Sequence, residues 1–176
     1  MAKRRMDAVE ALKLGIERER GANRFYRKAS EMTEDTNGKK MYQWLAKEEL
    51  RHLAKLRQQL KSVLNSDQWL EWRRLTTPIE RAELPPVSEA VGPAKVGAGD
   101  QDALRQAIES EREAIALYQA AEESTPEING KTMFRALSKE EEGHLALLEE
   151  ELEWLNKSRK YFTLHRFALR AGTYQY

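Results

Sequence analysis

A chain of 176 residues is one domain of ordinary size, long enough to bury a single core. Its 30 basic residues against 29 acidic ones leave a net charge of +1, which excludes the basic excess that phosphate binding needs, so nucleic acid is not an expected partner. There is no cysteine, which removes disulfides, thiolate zinc sites and cysteine nucleophiles and fits a reducing cytoplasm, and no apolar run approaches the ~18–20 residues of a membrane span.

The first element is predicted as a helix, because Leu12, Ile16, Glu19, Asn23 and Tyr26 recur at three- and four-residue steps. Turn-forming residues gather from Thr33 to Gly38, and a second helix follows with Met41, Leu45, Leu53, Leu56 and Leu60 as its stripe. From about 65 to 100 the character changes. Ser66, Asp67, Gln68, Trp69, Leu70, Glu71 and Trp72 read as a short helix capped by Ser66 or Asp67, followed by Pro78, Pro85, Pro86, Pro93, Gly97 and Gly99. A third helix carries Leu104, Ile108 and Tyr118, a turn spans 124–130, and a fourth carries Met133, Leu137, Leu145, Leu148, Leu152 and Leu155. The last stretch, 157–176, interleaves Lys157, Arg159, Lys160, Arg166 and Arg170 with Tyr161, Phe162, Phe167, Tyr174 and Tyr176 and holds no acidic residue. It is expected to be a short helix or arm packed on the rest of the molecule or on a second subunit.

The chain repeats itself. A shift of 92 positions aligns residues 11–60 with 103–152 without a gap, and 24 of the 50 pairs are identical. Each copy is a helical hairpin with one apolar face, so the expected fold is all-α, a four-helix bundle within 1–156. Hairpin one covers about 7–64, a crossover about 65–100, hairpin two about 101–156, and a C-terminal arm 157–176. Helices of ~24 residues are ~36 Å long, which accounts for a crossover of that length.

Six ionisable residues stand where apolar ones belong. On an ideal helix Leu12 lies about 20°, Ile16 about 60° and Tyr26 about −20° from Glu19, which puts Glu19 in the centre of the stripe, while Glu17 falls on the opposite face. Glu49 is likewise flanked by Leu45, Leu53, Leu56 and Leu60, with His52 beside it, and Glu111, Glu141 and His144 repeat the arrangement. The midpoint of Glu19 and Glu49 falls in the first turn and that of Glu111 and Glu141 at Pro126, so all six reach one level of the bundle.

Four buried carboxylates repel one another and lose their hydration, and two divalent cations would offset that cost. Carboxylate with imidazole suits iron or manganese, with zinc a third occupant, and the Glu-x-x-His spacing puts both ligands on one helix face. Tyr26 and Tyr118, two turns beyond Glu19 and Glu111, share that face and are either core aromatics or hydrogen-bond partners of a ligand carboxylate. Glu48, Glu140, Glu142 and the Glu149, Glu150, Glu151 run read as solvated charge, and His165 as structural or surface. Gly143, beside His144, has no evident role.

Glu19 with Tyr26, then Glu49-x-x-His52, and the same again from Glu111, resemble the ferritin-like di-iron domain of the rubrerythrin family, over nearly the whole chain apart from crossover and tail. The resemblance implies a ferritin-like bundle, usually a homodimer, binding two iron ions through Glu19, Glu49, His52, Glu111, Glu141 and His144, with Tyr26 and Tyr118 behind them. It also implies reduction of hydrogen peroxide, or reaction with dioxygen. Rubrerythrins carry a cysteine-ligated rubredoxin domain; here electrons must come from a separate donor protein. The family's extra glutamate, one turn after the third-helix ligand, is replaced by Ala114, with Ala22 its repeat partner. The resulting symmetric set is closer to that of bacterioferritin, so oxidation and storage or transfer of ferrous iron stands as an alternative, and a non-redox metal-binding bundle as another.

Overall fold

The computed structural model describes residues 7–77 and 98–158. They form four α-helices, α1 (Ala8–Met32), α2 (Thr36–Ser66), α3 (Ala98–Ser124) and α4 (Ile128–Ser158), with a 3-10 turn at Trp72–Arg74 and no strand among the described residues. This is the expected all-α bundle of two hairpins. No helix among these residues is long and apolar enough to cross a membrane. Most of the crossover, and the C-terminal arm from 159 onward with His165, lie outside the described residues.

The helix boundaries follow from local chemistry. Asp7 caps α1, its carboxylate accepting from the Val9 amide at 3.1 Å. Thr33 is extended (φ −72°, ψ 135°) and stops α1; Asp35 then caps α2 by accepting from the amides of Asn37 at 2.8 Å and Gly38 at 2.9 Å. In the second hairpin Pro126 supplies the break between Ser124 and Ile128.

One boundary departs from the sequence expectation. Ser66 and Asp67 do not start a helix; α2 runs through Ser66, and Asp67 closes it in the left-handed region (φ 54°), its amide donating to the Val63 carbonyl. Aspartate tolerates that conformation better than most residues, so it serves as a C-cap. Residues 68–71 are then non-helical, and Trp69 packs against the second hairpin's turn. Asn129 Nδ2 donates to the Trp69 carbonyl at 3.0 Å, and the Trp69 ring meets Phe134 edge-on at 6.0 Å. Gly130 makes room for this contact, since a Cβ there would lie 2.6 Å from Thr125 Cγ2 and 2.9 Å from Trp69 Cε3.

Contacts across the bundle set its topology. Tyr26 of α1 reaches Glu111 of α3 while Tyr118 of α3 reaches Glu19 of α1, so these two helices are antiparallel. α2 and α3 therefore point the same way, and the chain between them must return along the length of the bundle. Apolar side chains form two layers. One contains Tyr26, Met41, Tyr42, Leu45, Leu104, Ile108, Leu148 and Leu155; the other contains Leu12, Ile16, Leu53, Leu56, Tyr118, Met133, Phe134 and Leu137. The inward-facing acids and imidazoles lie between them.

Candidate metal centre

All six sequence-derived residues are buried, none more than 5% exposed, and Glu17 is exposed as expected. They assemble into two overlapping groups. Glu19, Glu49, His52 and Glu141 offer one ligand atom each, all within 4.8 Å of one another, and Glu49, Glu111, Glu141 and His144 do the same. Glu49 and Glu141 belong to both. Donors bound at about 2.0–2.2 Å lie up to roughly 4.4 Å apart, so each group is within about half an ångström of the span of a coordination shell.

Atomic detail supports that fit. Glu49 Oε1, His52 Nδ1 and Glu141 Oε1 are buried and make no hydrogen bond. His52 Nδ1 sits 3.0 Å from Glu141 Oε1, 3.5 Å from Glu49 Oε2 and 3.7 Å from Glu19 Oε2, and His144 Nδ1 sits 2.9 Å from Glu141 Oε2 and 3.3 Å from Glu49 Oε1. Both imidazoles thus turn the same nitrogen toward the carboxylates, and the rings stack with centroids 5.7 Å apart. Buried polar atoms left without partners are costly, and a cation between them supplies what is missing. These residues can hold metal ions.

Protonation tells the same story. Burial, then repulsion from Glu49 and Glu141, pushes Glu19 well above the ordinary carboxyl range, and burial with repulsion from Glu141 and Glu49 does the same to Glu111. Burial also opposes charge on Glu49 and Glu141, but Glu19 and then the two imidazoles beside Glu49, and the charge of His52 with the hydrogen bond from His144 at Glu141, hold both down. Burial alone would depress the imidazoles, yet the surrounding carboxylates raise His52 and His144 well above the usual value. The cluster thus favours protonation at Glu19, Glu111, His52 and His144, which offsets part of its negative charge.

Tyr26 donates its hydroxyl hydrogen to Glu111, and Tyr118 to Glu19, so each tyrosine serves the other repeat's glutamate. Burial, followed by the nearby carboxylates, pushes both phenols upward and keeps them neutral donors. Gly15 permits this approach, because a Cβ there would lie 3.2 Å from Tyr118 Cε1 and 3.3 Å from its oxygen. Ala114 is buried in the apolar layer beside the site.

The sequence reading of the neighbouring acids needs correction. Glu140 is not free solvated charge: its Oε2 lies 2.6 Å from His52 Nε2. Burial works against its charge, but the hydrogen bond and charge of His52, then the charge of Lys55, lower it to about 2. Glu48 is buried and paired with Arg51 at 2.5 Å, and Glu151 is buried as well, whereas Glu142 and Glu149 are exposed. The available signal was that Glu48 and Glu140 are repeat counterparts adjacent to ligand-bearing positions.

No protein-family model and no curated protein matches the chain. Among solved structures it resembles a hypothetical protein from Pyrococcus furiosus, with a TM-score of 0.66 and 30% identity over 89% of this chain and 94% of that one. At that identity and coverage, this chain belongs to the same family as the Pyrococcus furiosus protein.

Proposed function

We propose that this protein is a non-haem di-iron oxidoreductase of rubrerythrin type that reduces hydrogen peroxide with electrons from a separate donor protein, acting as a homodimer in the cytoplasm. The observation that carries the reading is the sharing of Glu49 and Glu141 between two four-residue ligand groups. Residues common to both groups would hold two cations at one site, and a donor set of hard oxygens with one imidazole per position suits iron. When bound, a ferrous pair supplies two electrons and the Lewis acidity that stabilises oxygen anions as an O–O bond breaks.

The chain's own residues do the rest. Glu19 and Glu111 cap the two ends of the cluster and are held in place by the hydroxyls of Tyr118 and Tyr26, which retain their protons. The apolar layers above and below keep bulk water from the carboxylates and so strengthen every electrostatic contact between them.

Metal analysis after ferrous loading is expected to give two irons per chain, with oxo-bridged absorption on exposure to air. Stopped-flow mixing of the ferrous protein should show faster oxidation by peroxide than by dioxygen. Replacing Glu49 and His52 together by Ala should abolish metal uptake; unchanged stoichiometry would falsify the ligand assignment.

Ala114 supports a second reading, a ferroxidase handling iron for storage or transfer, since it leaves the symmetric four-Glu, two-His set. Faster reaction with dioxygen, turnover of excess ferrous iron and a large hollow assembly by light scattering would favour it. Zinc occupancy without redox activity after iron loading would favour a structural bundle.

A further inference from the structure

The two halves of the cluster are related by the internal repeat, so each imidazole should have the same backing. They do not. On one side His52 Nε2 meets Glu140 Oε2 at 2.6 Å, while its Nδ1 faces the shared carboxylates. Under the 92-residue shift, Glu48 is the counterpart of Glu140 and His144 of His52. Glu48 nevertheless points its Oε2 at Arg51 Nη1, 2.5 Å away, and its Oε1 is buried with no hydrogen-bond partner. Among the described residues no carboxylate accepts from His144 Nε2; the edge of Trp44 lies against that ring, centroids 5.4 Å apart.

The cause can be read in the sequence. The counterpart of Arg51 is Gly143, which has no side chain and leaves Glu140 free to take the histidine. Trp44 has Ala136 as its counterpart, which carries no ring to set against His52. A single arginine therefore diverts one of two equivalent glutamates, and a glycine spares the other.

A carboxylate on the far nitrogen of a ligating imidazole fixes its tautomer and orientation and raises its basicity, and losing such a partner typically costs about 10–100-fold in metal affinity. We propose that the two metal positions are unequal: the Glu19/His52 position, backed by Glu140, binds its cation first and more tightly than the Glu111/His144 position, and Glu140 and Arg51 set the difference. This rests on the metal-binding reading above but not on the identity of the metal or the reaction. Glu140 acts through His52 and is a positioning residue.

The test is a stepwise Mn²⁺ titration of the metal-free full-length protein, followed by calorimetry and by electron paramagnetic resonance. Two binding constants about 10–100-fold apart are expected, with an uncoupled six-line spectrum at one equivalent giving way to an exchange-coupled signal at two. Glu140→Ala should weaken the first constant by that factor and merge the two, and Glu140→Gln, which keeps the shape and an acceptor, should fall in between. Arg51→Ala frees Glu48 for His144 and should tighten the second constant severalfold; circular dichroism matching the parent checks that each variant is folded. Two equal constants in the parent, or a Glu140→Ala that leaves the first constant unchanged in a folded protein, would overturn the inequality while leaving a dinuclear site intact. No uptake of Mn²⁺ at any concentration would overturn the metal reading itself.

Discussion

Gly15 and Gly21 sit on the same helix in opposite circumstances. A Cβ at Gly21 would meet nothing within 4 Å, so Gly21→Ala removes only unfolded-state freedom and is expected to add about 0.5–1 kcal/mol, read as a higher urea midpoint at unchanged slope. At Gly15 the same change crowds Tyr118 and Leu56, with contacts of 3.2–3.3 Å. There the helix gain should be cancelled, and metal affinity should drop as the Tyr118 hydroxyl is displaced from Glu19; an undiminished affinity would show that the tyrosine does not brace the ligand. Sequence alone located Glu19, Glu49, His52, Glu111, Glu141 and His144 in the interior, because an acid or imidazole inside an apolar stripe contradicts its surroundings. Glu140 lay beyond that logic. It stands about 100° round the helix from Glu141, on the flank, and its partner His52 lies on a different helix 88 positions away.

Among the elements, the hairpin turns carry the clearest local code. Asp35 satisfies two otherwise orphaned amides at the start of α2 from a partly enclosed position. Asp35→Ala is expected to cost about 1 kcal/mol in thermal or denaturant unfolding, with little effect on the ligand geometry about four turns away. Apolar periodicity made all four helices legible, and the turns at Thr33 and Pro126 announced themselves. The end of α2 did not, because the residues that cap a helix start also occur at its end: Asp67 is told from an N-cap only by its positive φ, a property of the backbone rather than of composition. The 92-residue repeat pointed to the two hairpins and the long crossover to a chain returning along the bundle, and the crossed tyrosine bonds show α1 antiparallel to α3.

For the molecule as a whole, the polar layer divides the core, so stability and ligand occupancy are linked. Each cation at 100 times its dissociation constant should add about 2.7 kcal/mol, or about 5–10 °C in melting temperature for a chain of this size. Uptake must displace the protons that Glu19, Glu111, His52 and His144 hold above their ordinary ranges. Affinity is therefore expected to rise with pH, and calorimetry in buffers of different ionisation enthalpy should record proton release at pH 7; none released would contradict the proton-filled cluster. In the metal-free protein, these four raised groups contribute stability below their unfolded values, about 4.3 for the carboxyls and about 6.5 for the imidazoles, and lose it as pH climbs through the folded ones. Glu49 and Glu141, being depressed, contribute above about 4.3 and lose their part in acid. Melting temperature without metal should thus fall on the alkaline side, and the decline should vanish once cations replace the protons.

Two separate copies of one hairpin, associating about a true dyad, would have to present every residue twice in identical surroundings. Fusion into one polypeptide lifts that obligation. Arg51 and Gly143 occupy equivalent positions of the two repeats, and covalent linkage lets one side of the assembly differ in charge from the other.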